Sequence, residues 1–494
     1  MKKTIILSIT ITLIVLISTI TIISYTTFNK SNGSKPVHTG VTYGGGNSAD
    51  AKALIDKVKD YTNLFVITSV PGNFEWREVG DYAVNAGLDV ILYFGSDERY
   101  RSTYVGSIKN ATERWGNHFL GVYYGDEPGG KWLDEELYYT NLPDIGNVSK
   151  TSGGFITSQK NGSLQTSKTF GASGHITLSY SDSLGGNNTF YNTDGTITFG
   201  KTSTNSSSYE ELTYYPNGTV TLVTMQAESI TNPVIVTNRG SISQFEPYQK
   251  VWNSRPFQTY NETIAAIVAE KYVNGKIGYD VGWLHDKYDI NVMTSDYALY
   301  WWNYKGGYDT IFAQLGWNNT VAQEIGLVRG AANLQGKSWG TILTWKYTHA
   351  PYLTDGAEMF DQMKTSYEAG ADYVIVFNYA EDMSGPYGTL KAEHFQALER
   401  FWSEVVQNPN VAHGNVKAEA ALVLPKDFGW GMRNQYDWIW GLWNANSTST
   451  SVQIWTQLQS LLLQYGSKFD IVYDDPACPV AGKYGKIIYW NQTG

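Results

Sequence analysis

Residues 121–128 read Gly-Val-Tyr-Tyr-Gly-Asp-Glu-Pro, an apolar, aromatic run that breaks into two adjacent carboxylates and a proline. Such a run is a buried parallel strand, and Pro128 forbids its continuation. Asp126 and Glu127 then stand at the strand's C-terminal tip, where open α/β sheets and β/α barrels place their chemistry. Read the same way, the other strand tips offer Tyr43, Asp97 and Glu98, Asp296, Gln314, Trp317, Trp345, Lys346, Tyr347, Tyr379, Glu381 and Asp382. Carboxylates among Trp and Tyr suit glycosidic bond cleavage. One acid protonates the leaving oxygen, and a second carboxylate attacks carbon or activates water. Crowding raises the pKa of one acid and keeps it protonated near neutral pH.

The sequence offers Glu127, Asp126, Glu381, Asp382 and Asp296 as candidate catalytic carboxylates. Tyr43, Tyr124, Gln314, Trp317, Trp345, Lys346 and Tyr379 are the candidate substrate-binding residues. Each has a plainer reading. Glu127 or Asp296 can cap a helix N-terminus, as can Glu98 in Ser96-Asp97-Glu98. Lys346 can form a simple ion pair, and Trp302, on a helix, suits a core. Gln314 fits a hydrogen bond to a sugar hydroxyl better than a catalytic step.

Eight strand–helix units position these tips. Strands are predicted at 39–44, 63–69, 88–95 and 119–125, with helices between them, and again at 291–295, 309–315, 340–345 and 372–378. A helix is also predicted over 255–271. Four units before an interruption and four after make the number that closes a (β/α)8 TIM barrel. The interruption is poor in charge and rich in Ser, Thr, Gly and Asn. Within it Tyr-Asn-Thr-Asp-Gly-Thr-Ile-Thr-Phe (191–199) resembles Tyr-Pro-Asn-Gly-Thr-Val-Thr-Leu (215–222), and Asp-Gly or Asn-Gly between β-formers signals a hairpin. It is an inserted antiparallel all-β module after strand 4, suited to carbohydrate binding or to a spacer role. A small C-terminal α/β module follows, with an aromatic loop at 429–443. The expected organisation is 1–30 signal anchor, 31–38 linker, 39–149 first half-barrel, 150–250 insert, 251–408 second half-barrel and 409–494 C-terminal module.

Residues 2–30 open with Lys2-Lys3 and continue without charge from Thr4 to Phe28, long enough for an N-terminal transmembrane helix. The lysines keep the N-terminus cytoplasmic and place the rest outside the cell. The expectation is a membrane-anchored cell-surface protein, with secretion after signal cleavage as the alternative. Asn-x-Ser/Thr sequons recurring from Asn32 to Asn491 agree with a glycosylated surface. The lone Cys478 excludes an internal disulfide framework. The net charge of −10 gives nucleic acid no electrostatic footprint. No Cys/His cluster of metal type is present, and no cofactor is implied. Aromatics make up 14% of the chain, which serves either sugar stacking or large cores. Oligomeric state is not legible.

Over residues 37–406 the chain resembles the clan of barrel glycoside hydrolases, on the eight-fold alternation and on Asp126-Glu127-Pro128 at the fourth strand. In that clan an Asn-Glu pair at this position supplies the acid/base, so the resemblance implies that role for Glu127. Asp126 stands where the clan has Asn, and the seventh tip, Thr344-Trp345-Lys346, lacks the nucleophilic Glu. The C-terminal module is similar in architecture to the glutamine-amidotransferase-like domain that follows the barrel in some β-galactosidases. The sequence therefore points to a glycoside hydrolase acting on a polysaccharide or glycan. The alternative is a non-catalytic carbohydrate-binding glycoprotein on a degenerate barrel.

Overall fold

A computed structural model describes residues 37–68, 75–96, 100–134, 140–142, 146–151, 154–171, 176–183, 185–192, 194–203, 206–226, 229–245, 272–273, 278–317, 320–379, 385–426, 428 and 450–492. The predicted membrane span, the 255–271 helix, the 429–443 loop, Asp97, Glu98, Glu381 and Asp382 lie outside the described residues. Among the described residues no helix is long and apolar enough to cross a membrane.

Eight parallel strands close into a barrel. They are β1 (His38–Tyr43), β2 (Leu64–Ile67), β3 (Asp89–Phe94), β4 (Phe119–Tyr124), β5 (Val292–Asp296), β6 (Thr310–Leu315), β7 (Ser338–Leu343) and β8 (Tyr373–Val376). β8 closes on β1 with His38 opposite Tyr373 and Val41 opposite Val376. β4 pairs with β5 across the whole insert, Val122 opposite Val292. Helices alternate with the strands: α1 (Ser48–Val58), α2 (Trp76–Asn85), α3 (Arg101–Trp115), α4 (Pro128–Asp134), α5 (Gly278–His285), α6 (Tyr300–Lys305), α7 (Val321–Gln335), α8 (Gly356–Ala369) and α9 (Ala392–Phe401). The predicted alternation is thus a closed, TIM-like barrel.

Both faces of each strand are buried, and the two-residue period sorts them. Leu64, Val66, Ile91, Tyr123, Met293, Phe312, Ile342, Tyr373 and Ile375 fill the barrel as their own cluster. Their chain neighbours, such as Phe65, Val122, Ile311 and Val374, belong to the larger core shared with the helices. Gly340 makes room for that filling. A Cβ there would lie 2.6 Å from Tyr373 Cβ and 3.1 Å from the Phe312 ring.

The insert is an antiparallel meander whose first strand is Thr140–Leu142, ten residues before the predicted boundary, and whose last is Val234–Ile235. The short opening strand carries too few β-formers to stand out in the sequence. The repeated motif makes the same turn twice. Asn192 N–H donates to Thr196 O (3.0 Å) and Tyr215 N–H to Thr219 O (2.9 Å), with Gly195 and Gly218 at φ 84° and 86°. Tyr191, Ile197, Leu212, Tyr214, Val220 and Phe245 form the insert's own core.

The C-terminal module is a parallel sheet in which β9 (Ala420–Leu424) lies between β10 (Phe469–Tyr473) and β11 (Lys486–Tyr489), with helix α10 (Thr450–Tyr465) alongside. It is docked on the barrel. Trp302, buried as its plainer reading requires, packs edge-on against Tyr473 with centroids 4.5 Å apart. On α7, Gly326 and Gly330 bring β10 against the helix. A Cβ on Gly326 would meet Phe469 O at 2.7 Å, and one on Gly330 would meet Val472 Cγ1 at 2.8 Å.

Candidate active site

Glu127 leaves β4 with φ 54°, in the left-handed region that non-glycine residues seldom occupy. Its N–H donates to Ser295 O (3.0 Å) on β5, and its carbonyl accepts the first turn of α4 from Lys131 N–H (2.9 Å). Pro128 opens α4, where a missing N–H costs nothing. Glu127 thus occupies the N-cap position of α4, yet its side chain does not cap it.

The cap comes from Asp296. Its Oδ2 accepts Gly129 N–H (2.5 Å) and Asn303 Nδ2 (2.7 Å), and its Oδ1 accepts Gly130 N–H (2.8 Å), Tyr297 N–H (2.8 Å) and Ala298 N–H (3.1 Å). The two glycines permit that approach, since a Cβ on Gly130 would fall 2.1 Å from the Tyr297 ring. Asp296 is fully buried, and that burial pushes its carboxyl up to about 7 against the pull of Asn303 and the backbone donors. Its candidacy as second carboxylate gives way to the plainer reading, because every oxygen is already engaged in joining α4 to the end of β5. Asp296→Asn should therefore lower stability by about 1–3 kcal/mol, because an amide group turns N–H against N–H. A denaturation midpoint equal to wild type would rule out this capping role.

With the cap supplied elsewhere, the Glu127 carboxylate stays in the barrel mouth, a quarter exposed. Oε1 accepts Gln314 Nε2 at 2.8 Å, and Oε2 lies 3.5 Å from Lys131 Nζ. Burial, then the charge of Asp126, raises the Glu127 pKa above the usual carboxylate value, while Gln314 and Lys131 restrain it. Lys131 is pulled down by burial, but Asp126 and Glu127 outweigh this and hold it above its ordinary value. Asp126 Oδ2 also lies 3.5 Å from Lys131 Nζ, so the two acids stand side by side on one ammonium. Asp126 Oδ1 accepts Tyr123 OH (2.5 Å) and Ser295 Oγ (3.2 Å). Burial and then Asp126 drive the Tyr123 phenol well above its ordinary pKa.

Past the ends of β7 and β8, Trp345 and Tyr379 both pack on Phe377, which the sequence did not single out. Trp345 packs on Tyr352 and Phe377 at 4.8 and 6.1 Å, and Tyr379 lies parallel to Phe377 at 6.4 Å. Gly44 makes room for Tyr379, whose ring would sit 2.9 Å from a Cβ. Trp317, at φ 52°, is about half exposed and donates its N–H to Trp345 O (3.1 Å). Lys346 is tied to Glu358 on α8 at 2.6 Å, the ion pair its plainer reading requires. Two expectations need correction. Tyr124 and Tyr43 point outward into the core shared with the helices and cannot touch a ligand in the mouth. Tyr124 stacks edge-on against Trp283 at 6.0 Å, and Tyr43 OH donates to Asn47 O at 3.2 Å. The inward tyrosine is Tyr123. Ser295 and Tyr123 carry no signal in the sequence that marks them beyond their closeness to the tips. Among the described residues no group of His, Cys, Asp and Glu is placed to hold a metal ion.

No protein-family model matches the chain, and no curated protein matches it. Among solved structures it is similar at 11% identity to a pyruvate kinase from Cryptosporidium parvum, covering 93% of this chain and 88% of that one with a TM-score of 0.27. A dehydrogenase (MviM) from Clostridium difficile is similar at 11% identity, over 44% of this chain and 81% of that one, with a TM-score of 0.11. Similarities this low bear on neither fold nor activity.

Proposed function

We propose that the barrel is a glycoside hydrolase in which Glu127 is the general acid, displayed outside the cell on the anchor formed by residues 2–30. One observation carries the reading: Asp296 takes over the capping of α4, so the Glu127 carboxylate stands in the mouth with a raised pKa. In the reaction the Glu127 proton passes to the glycosidic oxygen as the bond from that oxygen to the anomeric carbon breaks. Water supplies the hydroxyl at that carbon and yields its proton to a second carboxylate. Trp345, Tyr379 and the exposed Trp317 give flat apolar faces for a sugar ring. Asp126 is a poor second carboxylate, because it shares Lys131 with Glu127 and so lies on the same side of any substrate. That leaves Glu381 and Asp382, which follow β8, for the base or nucleophile.

A binding-only reading is favoured by the β7 tip, where Lys346 is consumed by Glu358 and no carboxylate follows the strand directly. Hydrolysis of a polysaccharide panel by the full chain, with Glu127→Gln beside it, separates the two. Products from wild type and none from the variant support hydrolysis. Binding without products from either protein leaves the binding reading, and equal rates from both end the assignment of Glu127.

A further inference from the structure

We propose that Asp126 is a positioning residue: acting through Tyr123, Ser295 and Gln314, it fixes the Gln314 amide so that Glu127 Oε1 meets an N–H and the acidic proton is carried on Oε2. The inference rests on Glu127 being the acid, and it follows from counting hydrogens. Asp126 Oδ1 accepts Tyr123 OH at 2.5 Å, and the Ser295 hydroxyl lies 2.6 Å from the Tyr123 oxygen and 3.2 Å from Asp126 Oδ1. A carboxylate only accepts, and a hydroxyl has one hydrogen. The phenol hydrogen therefore goes to Asp126, and the Ser295 hydrogen goes to Asp126 or to the phenol oxygen. The Ser295 lone pairs are left facing Gln314, whose nitrogen is 3.0 Å away.

Gln314 must then present nitrogen to Ser295, and its second N–H falls on Glu127 Oε1 at 2.8 Å. A proton on Oε1 would oppose that N–H, so Oε2, on the Lys131 side, is the oxygen that carries it. The arrangement has a visible cost. Gln314 is 3% exposed, and among the described residues its Oε1 is buried with no hydrogen-bond partner. A free amide would turn that oxygen toward the hydroxyl of Ser295. It does not, because Asp126 holds the hydroxyl hydrogens on its own side.

The charged or titratable groups facing Glu127 among the described residues are Asp126, Lys131, Tyr93 and Tyr123, from β3, the β4 tip and α4. β5 and β6 contribute the uncharged Ser295 and Gln314. Ser295→Ala changes no charge but also takes a hydrogen bond from Asp126, so Gln314→Met, which leaves that bond in place, is the variant that isolates the amide. The probe is carbodiimide-driven coupling of glycinamide to Glu127 in the full chain, followed across pH by peptide mass spectrometry, which needs no substrate. Ser295→Ala should move the Glu127 midpoint up by roughly one pH unit. Gln314→Met should move it up at least as far, and Ser295→Thr, which restores the hydroxyl, should track wild type. A Ser295→Ala or Gln314→Met midpoint at or below wild type overturns the proposal. If these midpoints stay put while Glu127→Gln abolishes hydrolysis, the positioning role fails alone. If Glu127→Gln hydrolyses normally, the reading of the acid fails whatever the titration shows.

Discussion

Glu127→Gln should lower turnover by about 10²–10⁴-fold, the usual contribution of a positioned general acid, while glycan binding stays unchanged. The amide is isosteric and keeps an oxygen to accept Gln314 Nε2. The cap on α4 belongs to Asp296 and is untouched. The variant should also be slightly more stable than wild type at neutral pH. The Glu127 pKa is raised in the fold, so ionising it there costs more than in the unfolded chain. Its favourable contribution is complete below the unfolded value of 4.5 and is lost as pH rises through the higher folded value. The stability gap between variant and wild type should therefore open above about pH 4.5. Thermal unfolding of both proteins across this range measures it. A variant that loses activity because it unfolds would contradict the assignment of the cap to Asp296.

The barrel was legible because each of its eight strands is an apolar run bounded by turn residues, and hydrophobic period and count suffice for that. Which side chains face inward was not. Parallel strands buried on both faces show no polar alternation to set the phase. Along β4 the register against β3 also shifts between Val90 and Ile91, near Gly121 at φ 136°. That is why Tyr124, beside the acids in sequence, proves to be core, and Tyr123 holds Asp126. Asp296 shows a different limit. An acid at a strand tip resembles a catalytic group, and its true partners, Gly129 and Gly130, lie more than 160 residues away in the chain. Ser295 and Gln314 are uncharged, and they matter only through the direction of their hydrogens. The docking of the C-terminal module was equally hidden, since Gly326 and Gly330 are ordinary helix positions until β10 is laid against them.

That docking predicts the largest loss of stability outside the mouth. Arg329 on α7 is buried, with Nε on Asp470 Oδ1 at 2.8 Å, Nη2 on Ser467 O at 2.7 Å and Phe469 O at 3.2 Å, and Nη1 on Val416 O at 3.2 Å. Asp470 Oδ2 accepts Tyr484 OH at 3.0 Å. Even so paired, Asp470 titrates above the usual carboxylate range, because burial outweighs the attraction of Arg329. Arg329→Met fills much of the same volume but strands that carboxylate in the interface and leaves three carbonyls without donors. Removing one partner of a buried pair costs about 3–5 kcal/mol. The loss should shrink as pH falls, because Asp470, its folded pKa then raised further, escapes the penalty by taking a proton. Adding Asp470→Leu to Arg329→Met should recover much of the stability at neutral pH, since an apolar pair replaces an isolated charge. Denaturant unfolding of the full chain at neutral and acidic pH tests both statements. An Arg329→Met loss below about 1 kcal/mol, or one that grows with acid, would show that the pair does not hold the module to the barrel.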